Sequence, residues 1–221
     1  MNVDITRDLE RRAALHGALA DPARLAITDT LADGDASPSE LAAMPSNLLA
    51  HHLRVLEAAG LLTRHRSEGD GRRSYLRLVA GSLDAGPGPG CRTARRVLFV
   101  CTANSARSHL AAALWRRASA VPAASAGTRP AGRIDPGAVD AAVRHQLPLP
   151  RLRPRPLSDV LGDGDLVVTV CDQAHEEIGA LAALHWSVPD PVAAGDRGSF
   201  DAALDELNRR VRVLAPRLVA S

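Results

Sequence analysis

The sequence predicts two domains: an α+β winged helix-turn-helix domain, then an α/β domain with a four-stranded parallel sheet and helices on both faces. Three observations support this. Helical segments and then a polar hairpin occupy residues 4–79, and a Gly- and Pro-rich stretch with little apolar content follows. From residue 95 onward, short apolar strands alternate with helices, which is typical of a parallel sheet. We expect domains at 1–80 and 95–221, joined by a linker at 81–94.

Boundary signals define the elements of the first domain. Asp21-Pro22 provides an N-cap and a proline at the first helical position, and Ser37-Pro38-Ser39-Glu40 is a capping box that opens a short helix. Polar residues 67–72 separate two strand-like runs and predict a wing. The predicted elements are helices at 4–20, 22–32, 37–43 and 47–59, and strands at 61–66 and 73–79.

Positive charge is concentrated on the third long helix and the wing. Residues 46–79 carry six arginines against three carboxylates, whereas residues 1–45 carry four arginines against eight carboxylates. Such a distribution favours contacts with DNA phosphates. The net charge of +2 for the whole chain excludes neither nucleic acid nor small anions as partners.

Three linked motifs resemble the ArsR-type winged-helix repressors: 18–27 (ALADPARLAI), 39–42 (SELA) and 51–61 (HHLRVLEAAGL). The resemblance implies that the helix at 47–59 lies in the major groove of double-stranded DNA. The alternative is that the winged helix is only an interaction module and that its arginines form a solvent-exposed face without binding DNA. The implied contact residues are Ser46, Asn47, Ala50, His51 and Arg54 on the helix, and Arg64, Arg66, Arg72 and Arg73 on the wing.

The first domain departs from that family in two respects. Residues 40–44 (ELAAM) contain no thiol, and no cysteine precedes Cys91, so a three-thiol arsenite site cannot form there. The usual C-terminal dimerisation helix is also missing, which leaves inducer sensing and a homodimer open. His51 and His52 are expected to be groove or packing residues, and we predict no metal site.

The second domain is organised around residues 97–108 (VLFVCTANSARS). An apolar strand ends at Cys101, Arg107 follows six positions later, and a helix comes next. A strand, a tight loop and a helix in this order direct backbone N–H groups and the helix N-terminus toward the same point. Their positive field favours the thiolate form of a cysteine there and the binding of an anion next to its sulfur. Arg107 can bind two oxygens of a tetrahedral oxyanion. The predicted oxyanion loop is Thr102, Ala103, Asn104, Ser105, Ala106, Arg107 and Ser108.

A second cysteine is expected at the same edge of the sheet. Cys171 closes the apolar run 166–170, as Cys101 closes 97–100, and the carboxyl ends of parallel strands meet at one edge. A buried structural thiol is the alternative interpretation of Cys171. The remaining predicted elements are a strand at 123–126 and helices at 108–118, 135–145, 172–184 and 201–218.

Cys101-x5-Arg107-Ser108, with 125–128 (SAGT) and Asp190-Pro191, resembles the low-molecular-weight protein tyrosine phosphatase fold over residues 95–221. Ala103 and Ala106 stand where phosphatases carry glycine and a second cysteine, which is similar to the arsenate reductases of that fold. The resemblance implies that Cys101 attacks arsenate, Asp190 acts as general acid and Cys171 resolves the adduct. It also implies that Asn104 stabilises the loop and that Ser108 stabilises the thiolate.

The electron donor stays open at this point. Thioredoxin-coupled relatives carry a third cysteine where this chain has Ile178. A Cys101–Cys171 disulfide could be reduced directly by thioredoxin or mycoredoxin, Cys91 could substitute, or mycothiol could attack the adduct. We expect no bound cofactor beyond this external thiol reductant.

The predicted function is arsenate reduction in arsenic detoxification, fused to a DNA-binding transcriptional regulator. One alternative is a phosphatase acting on phosphotyrosine or another phosphate ester. Only Trp186 is available as an aromatic wall, and Val192 stands where phosphatases usually place an aromatic residue, so a small oxyanion suits the site better. The other alternative is a non-enzymatic repressor that senses oxyanion or redox state. We expect a cytoplasmic protein, because residues 1–12 do not resemble a signal peptide and no apolar run is long enough to span a membrane.

Overall fold

The computed structural model describes residues 3–41, 44–79, 92–150 and 153–220. These residues form two compact units, each with its own hydrophobic core. Residues up to 66 and from 72 to 79 make up the first unit, and residues 67–71 and 92–220 make up the second. The short segment Ser67–Gly71 therefore belongs to the second unit, although it links two strands of the first.

The described part of the first unit consists of three helices and an antiparallel hairpin, all within one residue of their predicted bounds. The Asp21 carboxylate accepts hydrogen bonds from the backbone N–H groups of Ala23 and Arg24, which confirms the predicted N-cap. The elements are α1 (Val3–Leu19), α2 (Pro22–Asp33), α3 (Ser46–Ala58), β1 (Leu62–Arg66) and β2 (Ser74–Leu78).

The core of the first unit is built mainly from leucine. Leu49, Leu53 and Leu56 lie on one face of α3 and are buried, together with Leu31 of α2 and Leu76 of β2. Spacings of three and four residues place these side chains on one stripe of the helix, so the opposite face of α3 is left to solvent.

The predicted short helix at 37–43 is wrong for the residues that can be described, because 38–41 form a turn. Only half of the capping box is present. The Glu40 carboxylate accepts from the Ser37 backbone N–H at 2.6 Å, but the Glu40 N–H bonds to the Ser37 carbonyl rather than to its hydroxyl. The Ser37 hydroxyl itself donates to the Glu40 carboxylate at 2.8 Å, so these contacts close a turn rather than start an α-helix. Residues 42 and 43 lie outside the described residues.

The second unit contains the predicted four-stranded parallel sheet. Its strands are β4 (Arg96–Cys101), β5 (Ala123–Gly127), β6 (Asp165–Thr169) and β7 (Leu184–His185), in the order β5-β4-β6-β7. The central strand β4 pairs with β5 on one side and β6 on the other, with Cys101 opposite Gly127 and Val100 opposite Thr169.

The strand order makes the end of β4 a natural binding place. The chain goes from β4 to β5 in one direction and from β6 to β7 in the other. Because such crossovers are right-handed, α4 and α7 lie on opposite faces and leave a crevice at the carboxyl end of β4. The helices of this unit are α4 (Arg107–Ala118), α5 (Pro136–Arg144), α6 (Leu157–Val160), α7 (Asp172–Ile178), α8 (Pro191–Ala194) and α9 (Arg197–Leu214).

The predicted helix at 172–184 is wrong beyond Ile178. Gly179 has φ +54° and ψ −127°, a conformation that favours glycine and cannot continue an α-helix, and a 3-10 turn at Gly179–Leu181 follows. Leu184 and His185 then pair with Val168 and Thr169 as strand β7. The apolar, alanine-rich sequence here favours a helix locally, but pairing with the sheet edge overrides that preference.

Both ends of the second domain also differ from the predictions. Residues 92–94, assigned to the linker, form a strand β3 (Arg92–Ala94) that pairs in parallel with β8 (Leu218–Ala220). Residues 81–91 of the predicted linker, which include Cys91, lie outside the described residues. The last helix begins four residues earlier than predicted, because Asp196 caps it by accepting from the Ser199 N–H.

In the part of the chain that the structure describes, no helix combines the length and the apolar character that crossing a membrane requires.

Candidate oxyanion-binding site

The loop after β4 turns its carbonyl groups outward. The carbonyls of Cys101, Thr102, Ala103 and Ser105 accept hydrogen bonds from backbone N–H groups of the segment 128–135, at 2.8–3.1 Å. In a trans peptide the N–H of the next residue points away from the carbonyl. The loop amides are therefore directed toward the interior of the loop, which is the arrangement that binds an anion.

Asn104 holds the loop in shape. Its φ of +47° lies in the left-handed region, which asparagine tolerates better than most residues. Its side chain accepts from the Arg155 N–H at 2.9 Å and donates to the Ser108 hydroxyl at 2.8 Å. Gly127 leaves room for this conformation, since a Cβ there would lie 2.7 Å from the Thr102 carbonyl oxygen and 2.9 Å from the Asn104 Cβ.

Cys101 lies at the bottom of the loop and is a free, buried thiol. The Ser108 hydroxyl lies 3.1 Å from its sulfur. Ser108 is the second residue of α4, whose N-terminus faces the loop, so a negative charge on the sulfur would lie in a favourable field.

Arg107 is nearly buried and its guanidinium is held by three oxygens. It donates to the Val188 carbonyl at 2.9 Å and forms an ion pair with Asp190 at 3.1 Å. The carboxylate of Glu68, in the segment 67–71 of the same unit, is 3.6 Å away. Asp190 also caps α8 by accepting from the Val192 N–H, so its carboxylate is fixed beside Arg107.

Cys171 is also free and buried, and it lies next to the loop. Its sulfur is 3.4 Å from the Thr102 hydroxyl and accepts from the Ala174 N–H at the start of α7. Burial raises the pKa of the Cys171 thiol, and the charge of Cys101 raises it further, against weaker opposing effects of Arg107 and these hydrogen bonds. Both thiols therefore lie at the same edge of the sheet, beside the loop.

A buried polar network beside Cys171 was not predicted. The His185 Nε2 lies 3.1 Å from Asp172, its Nδ1 lies 2.9 Å from the Thr169 hydroxyl, and its ring stacks on His175 at 4.1 Å between centroids. Burial alone would raise the pKa of Asp172, but hydrogen bonds from His185, Ser187 and a backbone N–H outweigh it and lower the pKa to about 2. The network ties the start of α7 to strands β6 and β7.

His109 is a second buried titratable group that the sequence analysis missed. It follows Ser108 on α4 and is 3% exposed. Burial lowers its pKa to about 4, and its only side-chain partner among the described residues is the Ser125 hydroxyl, 3.4 Å from Nδ1. Nothing in a helical stretch of mixed composition marks such a histidine as buried.

Trp186, the expected aromatic wall of the site, is part of the core. Trp186 is 1% exposed and packs against Phe99, with ring centroids 5.6 Å apart. Val192 is 39% exposed. Trp186 therefore offers no open ring face to a phosphotyrosine side chain.

In the first unit, all nine predicted DNA-contact residues are exposed. On α3 they occupy one face, opposite the buried leucines, whereas His52 is buried and contributes to packing. Arg64 is partly engaged, because it bonds to Glu57 at 3.1 Å and to the Ser74 hydroxyl at 3.3 Å. The exposed helix residues are Ser46, Asn47, Ala50, His51 and Arg54, and those on or beside the hairpin strands are Arg64, Arg66, Arg72 and Arg73.

The parallel sheet, the outward-turned loop and the Cys101–Arg107 spacing define an α/β protein of the low-molecular-weight phosphatase type. The sequence profile of the low molecular weight phosphotyrosine protein phosphatase family matches residues 96–221, which is more than half of the chain. The chain belongs to that family. A helix-turn-helix domain profile matches residues 19–65, so the two predicted modules are both present.

Three known proteins illustrate the relationship. A curated arsenate reductase from Brevibacillus brevis (strain 47) is 29% identical over 128 residues, which are 55% of this chain and 94% of the relative. The tyrosine phosphatase Wzb from Escherichia coli K30 has the same fold, with a TM-score of 0.50 at 22% identity over 56% of this chain and 97% of that one. An arsenate reductase from Archaeoglobus fulgidus is 30% identical, with a TM-score of 0.47, over 54% of this chain and 98% of that one.

Proposed function

We propose that the second unit is an arsenate reductase. The observation that carries this proposal is the second thiol: Cys171 lies beside the loop, 3.4 Å from the hydroxyl of the residue that follows Cys101. Hydrolysis of a phosphate ester needs one nucleophile, whereas reduction of arsenate needs a thiol pair. The likeness to the Brevibacillus brevis arsenate reductase supports the same choice.

The reaction follows from the roles proposed for these groups. The Cys101 thiolate attacks arsenic and forms a sulfur–arsenic bond, while an oxygen leaves as water after receiving a proton from Asp190. The loop amides and Arg107 stabilise the charge on the remaining oxygens. Cys171 then attacks the Cys101 sulfur. The sulfur–arsenic bond breaks, its electron pair reduces As(V) to As(III), and arsenite leaves as the Cys101–Cys171 disulfide forms.

The electrostatics of the thiol pair support this order of events. Burial is the main cause of the raised pKa of Cys171, and a negative charge on the Cys101 sulfur raises it further. When the Cys101 sulfur is bonded to arsenic, the second contribution is removed, which eases ionisation of Cys171 for the resolving attack.

An external thiol system must then reduce the disulfide. Ile178 takes the place of the third cysteine of thioredoxin-coupled relatives and is partly buried against the core. We propose direct reduction of the Cys101–Cys171 disulfide by thioredoxin or mycoredoxin, or attack of mycothiol on the adduct, without bound cofactor or metal.

A phosphatase is the second candidate, and Asp190 is the observation that favours it. The Asp190 carboxyl group lies 3.1 Å from Arg107, and in its protonated form it can transfer a proton to an ester oxygen as well as to an arsenate oxygen. The absence of an open aromatic face at Trp186 favours a small anion over a phosphotyrosine peptide.

We propose that the first unit binds double-stranded DNA through α3 and the hairpin. Its support is the exposed face of α3, which carries His51 and Arg54 opposite a buried face made of three leucines and His52. An α-helix with such a face fits the major groove, and arginines on the hairpin strands suit the flanking phosphates. Together the two units would form a regulator of arsenic detoxification fused to its enzyme.

Steady-state assays with arsenate distinguish the enzyme candidates. Each of thioredoxin, mycoredoxin and mycothiol is supplied in turn with NADPH and its reductase, and p-nitrophenyl phosphate is tested in parallel. Cys171→Ser should abolish multiple turnovers, while the matched variant Cys91→Ser should retain them. Equal activity in Cys171→Ser and the parent contradicts the resolving role. Turnover of p-nitrophenyl phosphate without arsenite formation favours the phosphatase. If the protein shows neither activity and its DNA binding changes on oxidation, a sensor is favoured.

DNA binding is tested with a duplex from upstream of the protein's own gene. The double variant Arg54→Ala with Arg72→Ala should weaken binding by about tenfold or more, since each lost phosphate or base contact reduces affinity. Arg12→Ala, an exposed arginine on α1, is the matched control. Unchanged binding by the double variant contradicts the assigned contact surface.

A further inference from the structure

An acidic segment of the second unit lies against the oxyanion loop. The Glu68 carboxylate is 3.6 Å from the Arg107 guanidinium and accepts from the Asp190 backbone N–H at 3.0 Å. It therefore contacts both the cation that would bind an oxyanion and the residue proposed as general acid.

The segment Ser67–Gly71 is held on α7 by its own hydrogen bonds. The Glu68 N–H donates to Asp172 at 2.8 Å, and the Ser67 hydroxyl and Asp70 N–H donate to the two oxygens of Glu176, both at 2.7 Å. These bonds place the segment beside Cys171, the residue that caps the same helix. Its position is thus fixed by three polar contacts in addition to the contact with Arg107.

Gly69 fits α7 so closely that no side chain can be added there. A Cβ at Gly69 would lie 3.0 Å from both the Cα and the N of Gln173 and would overlap the Glu176 carboxylate. At Gly71, by contrast, a Cβ would meet nothing within 4 Å. One glycine of the segment is therefore required by the contact, and the other is not.

The charge balance around Arg107 disfavours an incoming anion. Two carboxylates, from Glu68 and Asp190, already face this single guanidinium. Partial burial raises the pKa of Glu68, against the effect of Arg107, because loss of hydration disfavours the charged carboxylate. A tetrahedral oxyanion carries one or two negative charges, so it cannot take its place beside Arg107 while both carboxylates remain.

We propose that Ser67–Gly71 is an internal competitor of the oxyanion, and that substrate binding requires the Glu68 carboxylate to leave Arg107. This inference rests on the proposed oxyanion site. Glu68 is the carboxylate that can leave, because its side chain is 49% exposed, whereas Asp190 is held as the cap of α8. The segment would then set the oxyanion concentration at which the enzyme becomes active.

The test uses the full chain and inorganic phosphate as a non-reducible probe, measured by isothermal titration calorimetry. Glu68→Gln removes the competing charge and should tighten phosphate binding by about fivefold, the value of a partly exposed ion pair. Gly69→Ala should tighten it as well, because the added methyl displaces the segment from α7 while keeping Glu68. Gly71→Ala is the matched control and should bind phosphate as the parent does.

Hydrogen exchange supplies a second readout. Saturating phosphate should speed exchange in the peptide that covers residues 67–71, since its amides lose Asp172 and Glu176 as partners. If Glu68→Gln binds phosphate as the parent does, and phosphate does not change hydrogen exchange of residues 67–71, the segment is not a competitor of the oxyanion. The proposed function is not affected by that result. No phosphate binding by the parent or any variant overturns both.

Discussion

The hydroxyl of Ser108 lies 3.1 Å from the sulfur of Cys101 and 2.8 Å from the amide nitrogen of Asn104. The Asn104 side-chain oxygen is taken by the Arg155 N–H, so its NH2 group faces Ser108 and occupies a lone pair of the hydroxyl. The hydroxyl hydrogen is then free to point at the sulfur. The loop thus contains a donor aimed at the nucleophile before any substrate is bound.

Replacing Ser108 with alanine should slow alkylation of Cys101 by iodoacetamide at pH 7 by about tenfold, the value of one hydrogen bond to a charged group. Asn104→Ala should have an effect of the same sign, because it leaves Ser108 free to rotate. Thr128→Val is the control, since the buried Thr128 hydroxyl has no partner among the described residues. Equal rates in Ser108→Ala and the parent would show that this hydroxyl does not stabilise the thiolate.

The Cys101→Ser variant should make Cys171 more reactive. Burial and the charge of Cys101 both raise the pKa of Cys171, and the substitution removes the second cause. Alkylation of Cys171, followed by mass spectrometry of its peptide over pH 7–10, should become faster at each pH. The peptide that contains Cys91 provides an internal reference. A Cys171 profile that does not move would mean that the two thiols are not electrostatically coupled.

The position of the loop could be predicted because its signals are local in sequence. A β-forming run that ends at Cys101, five further residues and Arg107 at a helix start together specify a tight loop between a strand and a helix. Asp21 is a similar case, since an aspartate before a proline is sufficient to cap a helix.

The polar contacts around that loop could not be predicted, because they join residues that are distant in sequence. Asp172 and His185 are brought together by the end of α7 at Gly179 and the pairing of β7, whereas the sequence predicts a continuous helix over residues 172–184. Glu68 was assigned to a wing tip, and nothing in its neighbours indicates a partner such as Arg107. Such contacts depend on packing rather than on local propensity.

Asp172→Asn should destabilise the protein by about 2 kcal/mol at pH 7, because a carboxyl group with a pKa lowered from 3.8 to about 2 is stabilised in its charged form. This contribution is fully present above the unfolded pKa and is lost as pH falls through the folded pKa. Urea unfolding should therefore show a gap between parent and variant that closes between about pH 4 and pH 2. Asp205→Asn, exposed on α9, is the control and should show no such gap. A gap that is constant with pH would contradict the charged state of Asp172.

His109 should make the protein sensitive to mild acid. Burial lowers its pKa from 6.5 to about 4, so between these values the unfolded chain binds a proton that the folded chain does not. Stability is thus lost as pH falls from about 6.5 to 4, by up to about 3 kcal/mol from this residue. His109→Gln should remove that part of the pH dependence, measured as urea midpoints at pH 7 and pH 4.5. His16→Gln, outside the core on α1, provides the comparison. If His109→Gln and the parent lose the same stability over this range, His109 is not the group that couples folding to pH.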